Sequence, residues 1–175
     1  MDDSLSQLRA EALTHLDGLY NLARWLVRDP AEAEDLVQET FLRALRGFHQ
    51  FRAGTNLRAW LFQILRNTFF TQYRRRGREP EAVDPDVLDT MAIRLGPASG
   101  AGSPSGASSG TLSVDLRAAL EQLPDDYRAV VVLADVEDFT MAEVADIMGC
   151  PVGTVKSRLF RARAILQELL RDYVR

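Results

Sequence analysis

Eleven consecutive residues near the C-terminus, 153–163, include Gly153, Thr154, Lys156, Ser157, Arg158, Phe160, Arg161 and Arg163. Guanidinium and ammonium groups donate to phosphates and guanine edges, hydroxyls bond to either, and an aromatic ring can meet a thymine methyl, so the set has the chemistry of a duplex reader. Placement decides whether that chemistry is usable. At about 100° per residue, Val155, Leu159, Ala162, Leu166 and Leu169 line one narrow helical face and must pack it onto a core. The opposite side then presents Gly153, Ser157, Phe160, Arg161 and Ala164, with Lys156, Arg158 and Arg163 on its shoulders. A solvated helix with ordinary surface cations is the usual fate of such a run. Phe160 argues against it, because a ring opposite the core stripe and amid cations suits insertion into a major groove.

A second group mixes rings with cations. Phe69, Phe70, Tyr73, Arg74, Arg75 and Arg76 end a helical run whose apolar stripe is Leu57, Leu61, Ile64 and Thr68, and Phe62, Arg66 and Tyr73 fall opposite that stripe. Single-stranded DNA suits this combination, since unstacked bases rest on rings while arginines follow phosphates. In so small a domain some rings must be core, and Trp60 and Phe69 are expected there. A third group, Asp35, Gln38, Glu39 and Leu42, forms an acidic, hydrogen-bonding strip with one apolar residue. Taken alone, it reads as a solvated helix flank.

These groups need helices to position them. Leu13, Leu16, Tyr20, Ala23 and Val27 recur at helical spacing, and Asp29, Pro30 and Glu32 supply a cap, a first-turn proline and a carboxylate three residues after the cap. The helix that follows carries Ala33, Leu36, Val37, Thr40, Phe41, Ala44 and Phe48 inward and ends before a loop at 51–56. Toward the C-terminus an apolar helix over 116–123 precedes one opened by Pro124, Asp125 and Asp126. Thr140 and Glu143 then have capping-box spacing, and Gly149, Cys150 and Pro151 break the chain before the basic helix. That is the grammar of a helix-turn-helix. No segment alternates as a strand would.

Residues 96–110 consist of Gly, Pro, Ala and Ser and have too few apolar groups to offset the entropy of ordering them. The expected fold is therefore all-α: helical domains at 1–78 and 113–175, the second with the helix-turn-helix, joined by a flexible acidic linker at 79–112. The net charge of −4 conceals this division, being +3 over 1–78, −5 over 79–115 and −2 over 116–175. Within the last segment, residues 147–175 carry six basic and two acidic side chains, a local DNA-facing surface.

Other functions find little support. No apolar run approaches the roughly 20 residues of a membrane span, and Asp2, Asp3 and Ser4 do not begin a secretory signal, so a cytoplasmic protein without membrane insertion is expected. One cysteine, Cys150, allows no internal disulfide, and with only His15 and His49 beside it no metal site is expected. Cys150 is read as a small residue suited to a turn. There is no phosphate loop, triad or secluded carboxylate pair, so neither catalysis nor a cofactor is expected.

Leu123 and Pro124, the helix over 139–148 and the run 153–163 resemble the extracytoplasmic-function (ECF) sigma factors of bacterial RNA polymerase, members of the sigma-70 family. Residues 33–41 and 54–67 are similar to the same family in the same chain order. The resemblance implies an alternative sigma factor that binds core polymerase, recognises the −35 and −10 promoter elements and promotes DNA opening. It assigns −35 binding to Thr154, Lys156, Ser157, Arg158, Phe160 and Arg161. To the −10 element it assigns Phe51, Arg52, Gly54, Asn56, Arg66 and Asn67, with Tyr73, Arg74 and Arg75 from the aromatic and basic group. It makes Asp35, Gln38, Glu39 and Leu42 the surface that grips the clamp helices of polymerase's largest subunit; the flap region, promoter DNA and an anti-sigma factor are further implied partners. A stress response is the implied setting, and residues 133–139 with 145–149 look closest to a subset responding to thiol oxidation. The competing readings are a stand-alone helix-turn-helix regulator, which would bind duplex DNA without polymerase, and a helical adaptor or small enzyme whose basic helix is incidental.

Overall fold

The computed structural model describes residues 2–52, 54–75 and 109–171. Among them the chain forms eight α-helices and no strand. Helix α1 (Asp2–Thr14) and helix α2 (Leu16–Leu26) divide the run expected as a single helix. The Thr14 hydroxyl donates to the Glu11 carbonyl at 2.6 Å, and His15 N–H bonds to Ala12 rather than Glu11, so the chain turns tightly where a side chain competes with the helix ladder. The break also moves the stripe. Leu13 and Leu16 are exposed, while Leu19, Leu22, Ala23 and Leu26 are buried.

Helix α3 (Pro30–Arg46) starts as its sequence requires. The Asp29 carboxylate accepts from the backbone N–H groups of Ala31 at 2.7 Å and Glu32 at 3.4 Å, and Pro30 takes the first turn. Ala33, Leu36, Val37, Thr40 and Ala44 are buried against α2 and α4 (Leu57–Arg75). Thr40 meets its need for a partner within the helix, donating to the Leu36 carbonyl at 2.7 Å. A 3₁₀ turn, Phe48–Gln50, leads into the loop before α4.

In the C-terminal half, α5 (Ser109–Glu121) begins inside the stretch expected as linker, the rest of which lies outside the described residues. Helix α6 (Asp125–Val131) continues into a π-helical turn, Val132–Val136, before α7 (Met141–Met148) and α8 (Val152–Leu170). Helix α7 has a complete capping box: Thr140 accepts from the Glu143 N–H, and Glu143 accepts from the Thr140 N–H. Gly149 then takes a left-handed conformation (φ 66°), a position a side chain would strain, and Pro151 opens α8. Val155, Leu159, Ala162 and Leu166 are buried, as the helical spacing predicted.

The two halves are packed together. Helix α4 rests on α7, and α2 rests on α6. Arg128, 4% exposed, helps join them: its guanidinium donates to the carbonyls of Leu120 (2.8 Å), Leu123 (2.7 Å), Glu121 (3.1 Å) and, across the chain, Trp25 (2.9 Å). Burial lowers its pKa, opposed by the Asp125 charge.

Candidate nucleic-acid interface

Helix α8 presents the face its sequence required. Phe160 is 77% exposed, and Gly153, Lys156, Ser157, Arg163 and Ala164 are also exposed beside it. Thr154, Arg158 and Arg161 are half-buried at the edges. Two of the cations lean on carboxylates from neighbouring elements: Arg158 lies 3.7 Å from Asp126, and Arg163 pairs with Asp135. That hydrogen-bonded partner raises the Arg163 pKa. The result is a helix whose central ring and serine are uncovered and whose arginines are held along its flanks. Cys150 is half-buried in the preceding turn.

In the N-terminal half the loop before α4 is pinned at several points. The Thr55 hydroxyl donates to the Arg52 carbonyl at 2.7 Å, and the Asn56 side-chain oxygen accepts from the Ala59 N–H at 3.2 Å, capping α4. Gly54 has φ 93°, which a Cβ would not permit without strain. Phe51 is half-buried and packs on Trp60, their ring centroids 5.1 Å apart, so it anchors the loop more than it projects from it. Arg52 and Asn67 are exposed. Arg66 donates to Asn67 at 3.3 Å and lies 4.4 Å over the Phe70 ring. Tyr73, Arg74 and Arg75 occupy the last turn of α4, and their side chains lie outside the described residues.

Phe62 departs from expectation. Expected opposite the apolar stripe and available to bases, it is fully buried, its ring edge-on to Phe139 of the C-terminal half at 5.0 Å. Phe69 is buried and Trp60 partly so, as expected of core rings. The sequence reading also missed Arg58 and Glu137. Arg58 donates at 2.9 Å to the Glu137 carboxylate and at 2.7 Å to its backbone carbonyl, and stacks 4.1 Å over Phe139. Asn21 donates to the other Glu137 oxygen at 2.9 Å. His15 is nearby, and its pKa is lowered by burial and then by the Arg58 charge.

On α3, Asp35, Gln38 and Leu42 are exposed, and Glu39 is half-buried and paired with Arg43 at 2.8 Å. The strip thus exists as a surface, with one of its carboxylates already engaged.

Residues 12–79 match the family described as Sigma-70 region 2, and residues 113–166 match Sigma-70, region 4. The chain is 40% identical to the ECF RNA polymerase sigma factor EcfG of Rhodopseudomonas palustris over 163 residues, which are 93% of this chain and 84% of that one. The chain belongs to the ECF sigma factors. It is also 38% identical over 160 residues to the ECF RNA polymerase sigma factor SigE of Mycolicibacterium smegmatis, covering 91% of this chain and 58% of the relative. Among solved structures, the sigma factor RpoE in complex with the anti-sigma factor NepR from Bartonella quintana superposes with a TM-score of 0.72 at 38% identity, covering 94% of this chain and 97% of that one. As an alternative sigma factor the chain serves transcription initiation. Among the described residues no helix is long and apolar enough to cross a membrane.

Proposed function

We propose that the three surfaces divide the work of initiation. The α8 face, with Thr154, Lys156, Ser157, Arg158, Phe160 and Arg161, reads the −35 duplex. The loop before α4 and the α4 face, with Phe51, Arg52, Gly54, Asn56, Arg66, Asn67, Tyr73, Arg74 and Arg75, take the −10 strand. Asp35, Gln38, Glu39 and Leu42 on α3 dock to the clamp helices of the largest polymerase subunit, whose basic partners an acidic strip complements. The observation that carries the −35 assignment is the exposure of Phe160 at the centre of a basic helix, immediately after the Gly149 turn. An aromatic ring so exposed gains from a partner that offers methyl groups and flat base edges.

Melting needs no catalytic group in this reading. Binding energy drives it, because capture of bases as the duplex opens biases the equilibrium toward the open form. The polymerase flap contacts the C-terminal half, and the protein acts in the cytoplasm. An anti-sigma factor is a further partner of this chain, a reading supported by the NepR complex of the similar RpoE. The alternative, a stand-alone regulator, leaves the acidic α3 strip without a role.

The decisive experiment is transcription from a promoter library by core polymerase with and without the protein. Transcripts that start at one class of promoter, and only when the protein is present, are the expected result. Duplex binding without any gain in initiation would replace this reading with the stand-alone regulator.

A further inference from the structure

Lys156 is the only lysine of the chain; the other twenty basic side chains of the Lys and Arg type are arginines. The two cations differ in chemistry. A guanidinium keeps its proton in water, whereas a primary amine can lose one and be acylated. Positive charge is therefore fixed at each of these side chains except one, and that one lies on the α8 face assigned above to the −35 duplex. The inference rests on that assignment.

The fold leaves the amine open. Lys156 is exposed on α8, and among the described residues it pairs with no carboxylate, whereas Arg158 has Asp126 at 3.7 Å and Arg163 pairs with Asp135. Long side chains of a helix lean toward its N-terminal end, which directs Lys156 back over the turn that holds Gly153. Gly153 keeps that turn clear, since a Cβ added there would meet nothing within 4 Å. On the other side the exposed ring of Phe160, four residues on, is its neighbour along the helix surface. The amine thus stands beside the ring at the centre of the reader, with room for a small electrophile to approach.

Charge makes the position consequential. With Arg158 and Arg163 already facing carboxylates, Lys156 and Arg161 are the cations of this face that have no carboxylate partner among the described residues. Acetylation of Lys156 removes one of these two charges together with its donors. The acidic strip of α3 and the loop before α4 contain no lysine, so the same reaction leaves their side chains unmodified.

We propose that Lys156 is an acetylation site that switches off −35 reading while sparing polymerase docking. The donor is an activated acetyl group, carried as an acyl phosphate or an acyl thioester. After one ammonium proton passes to water, the Nζ lone pair attacks the acetyl carbonyl carbon. A C–N bond forms as the C–O or C–S bond breaks, and the phosphate or thiolate leaves with that electron pair and takes up a second proton from the nitrogen. The product is a neutral amide.

The test treats the full chain separately with acetyl phosphate and with acetyl coenzyme A, locates the product by peptide mass mapping, and assembles the treated chain with core polymerase. Fluorescence anisotropy at several salt concentrations then measures binding to a promoter drawn from the library above, and to the same duplex with its −35 element replaced. The expected result is acetylation of Lys156 by at least one donor, the two arms identifying which, with at least a tenfold loss of affinity for the intact promoter. The salt slope should shrink by about 0.9, the mark of one lost phosphate contact, while co-purification with core polymerase is unchanged. Lys156→Gln, which carries a neutral amide, should show the loss without treatment. Treating Lys156→Arg should leave that variant at its own pre-treatment affinity, which separates the effect from acetylation of the chain's α-amino group. An unmodified Lys156 after both treatments would overturn the proposal, and so would an acetylated chain of native helicity that keeps its promoter affinity or loses it equally on the duplex without the −35 element. An untreated chain indifferent to that element overturns the −35 assignment itself, a failure visible before any acetyl donor is added.

Discussion

Glu143 and Asn56 are joined across the two halves through one oxygen of the carboxylate, while the other oxygen caps α7. Oε1 accepts from the Asn56 amide at 2.8 Å, and Oε2 accepts from the Thr140 backbone at 2.8 Å. Losing the first bond leaves the second in place, so the halves can part without uncapping α7. The Glu143 pKa is lowered, first by the Thr140 backbone bond and further by the Thr140 hydroxyl, Asn56 and Arg58.

A pH dependence follows from that shift. A carboxylate whose folded pKa lies below its unfolded value contributes its full stability above the unfolded value, here 4.5, and loses it as pH falls through the lowered one. Glu143→Gln keeps an acceptor for the Thr140 N–H and removes the charge, so it should cost about 0.5 kcal/mol at neutral pH, the usual size of a carboxylate at a helix N-terminus. The difference from the parent should shrink below the ordinary carboxylate range. Urea unfolding of both proteins across acid pH measures it, and a constant difference would remove the carboxylate from the account.

Arg128 should tolerate no replacement, lysine included. Its planar fork serves carbonyls of α5, the turn after it and α2 at once, a geometry a single ammonium cannot reproduce. Arg128→Met should cost about 3 kcal/mol by leaving buried carbonyls without donors. Thermal or urea unfolding gives the number, and a loss below about 0.5 kcal/mol, the range of ordinary surface changes, would contradict the packing described.

Docking can be tested most cleanly at Asp35. Since Glu39 is paired with Arg43, its replacement also disturbs that pair, whereas Asp35 is exposed on the same strip. Asp35→Arg should reduce affinity for core polymerase at least tenfold with helicity unchanged. Co-purification and circular dichroism on one preparation decide it, and full affinity in the folded variant would relocate the docking surface.

The two DNA surfaces should respond differently to loss of an arginine. Arg161→Ala should cost about 1–3 kcal/mol at its cognate −35 base if it makes a bidentate contact there. Arg74→Ala should weaken binding across sequences and flatten the salt dependence. Affinity titrations on promoter variants at several salt concentrations distinguish them, and equal losses at every position for both proteins would collapse the division.

The elements legible in the sequence are those fixed by neighbours. Asp29 with Pro30 and Glu32, and Thr140 with Glu143, announce helix starts within four residues, and the Val155 to Leu166 stripe fixes which way Phe160 must face. Phe62 escapes local spacing for the same reason these are legible. Periodicity sets it opposite the Leu57 and Leu61 stripe, and the groups that cover it, Gly18 of α2 and Phe139 77 positions away, are distant in sequence. Arg58 and Glu137, 79 positions apart, leave no mark on local spacing. The break at His15 was hidden because threonine, alanine and glutamate all fit a helix until the Thr14 hydroxyl turns back onto Glu11.

The π turn at Val132–Val136 makes the meeting of the two halves depend on a single residue. Its ladder bond runs from the Glu137 N–H to the Val132 carbonyl, accommodating one residue more than an α-turn, and Asp138 follows with φ 56°. Removing a single residue there would restore an ordinary helix and rotate everything beyond it by about 100°, carrying Glu137 and Phe139 away from Arg58 and Phe62. A one-residue difference in length between α6 and α7 is thus enough to change how the two halves meet. A trait of the whole molecule would be altered in one three-nucleotide step, with no side chain of α3 or α8 replaced.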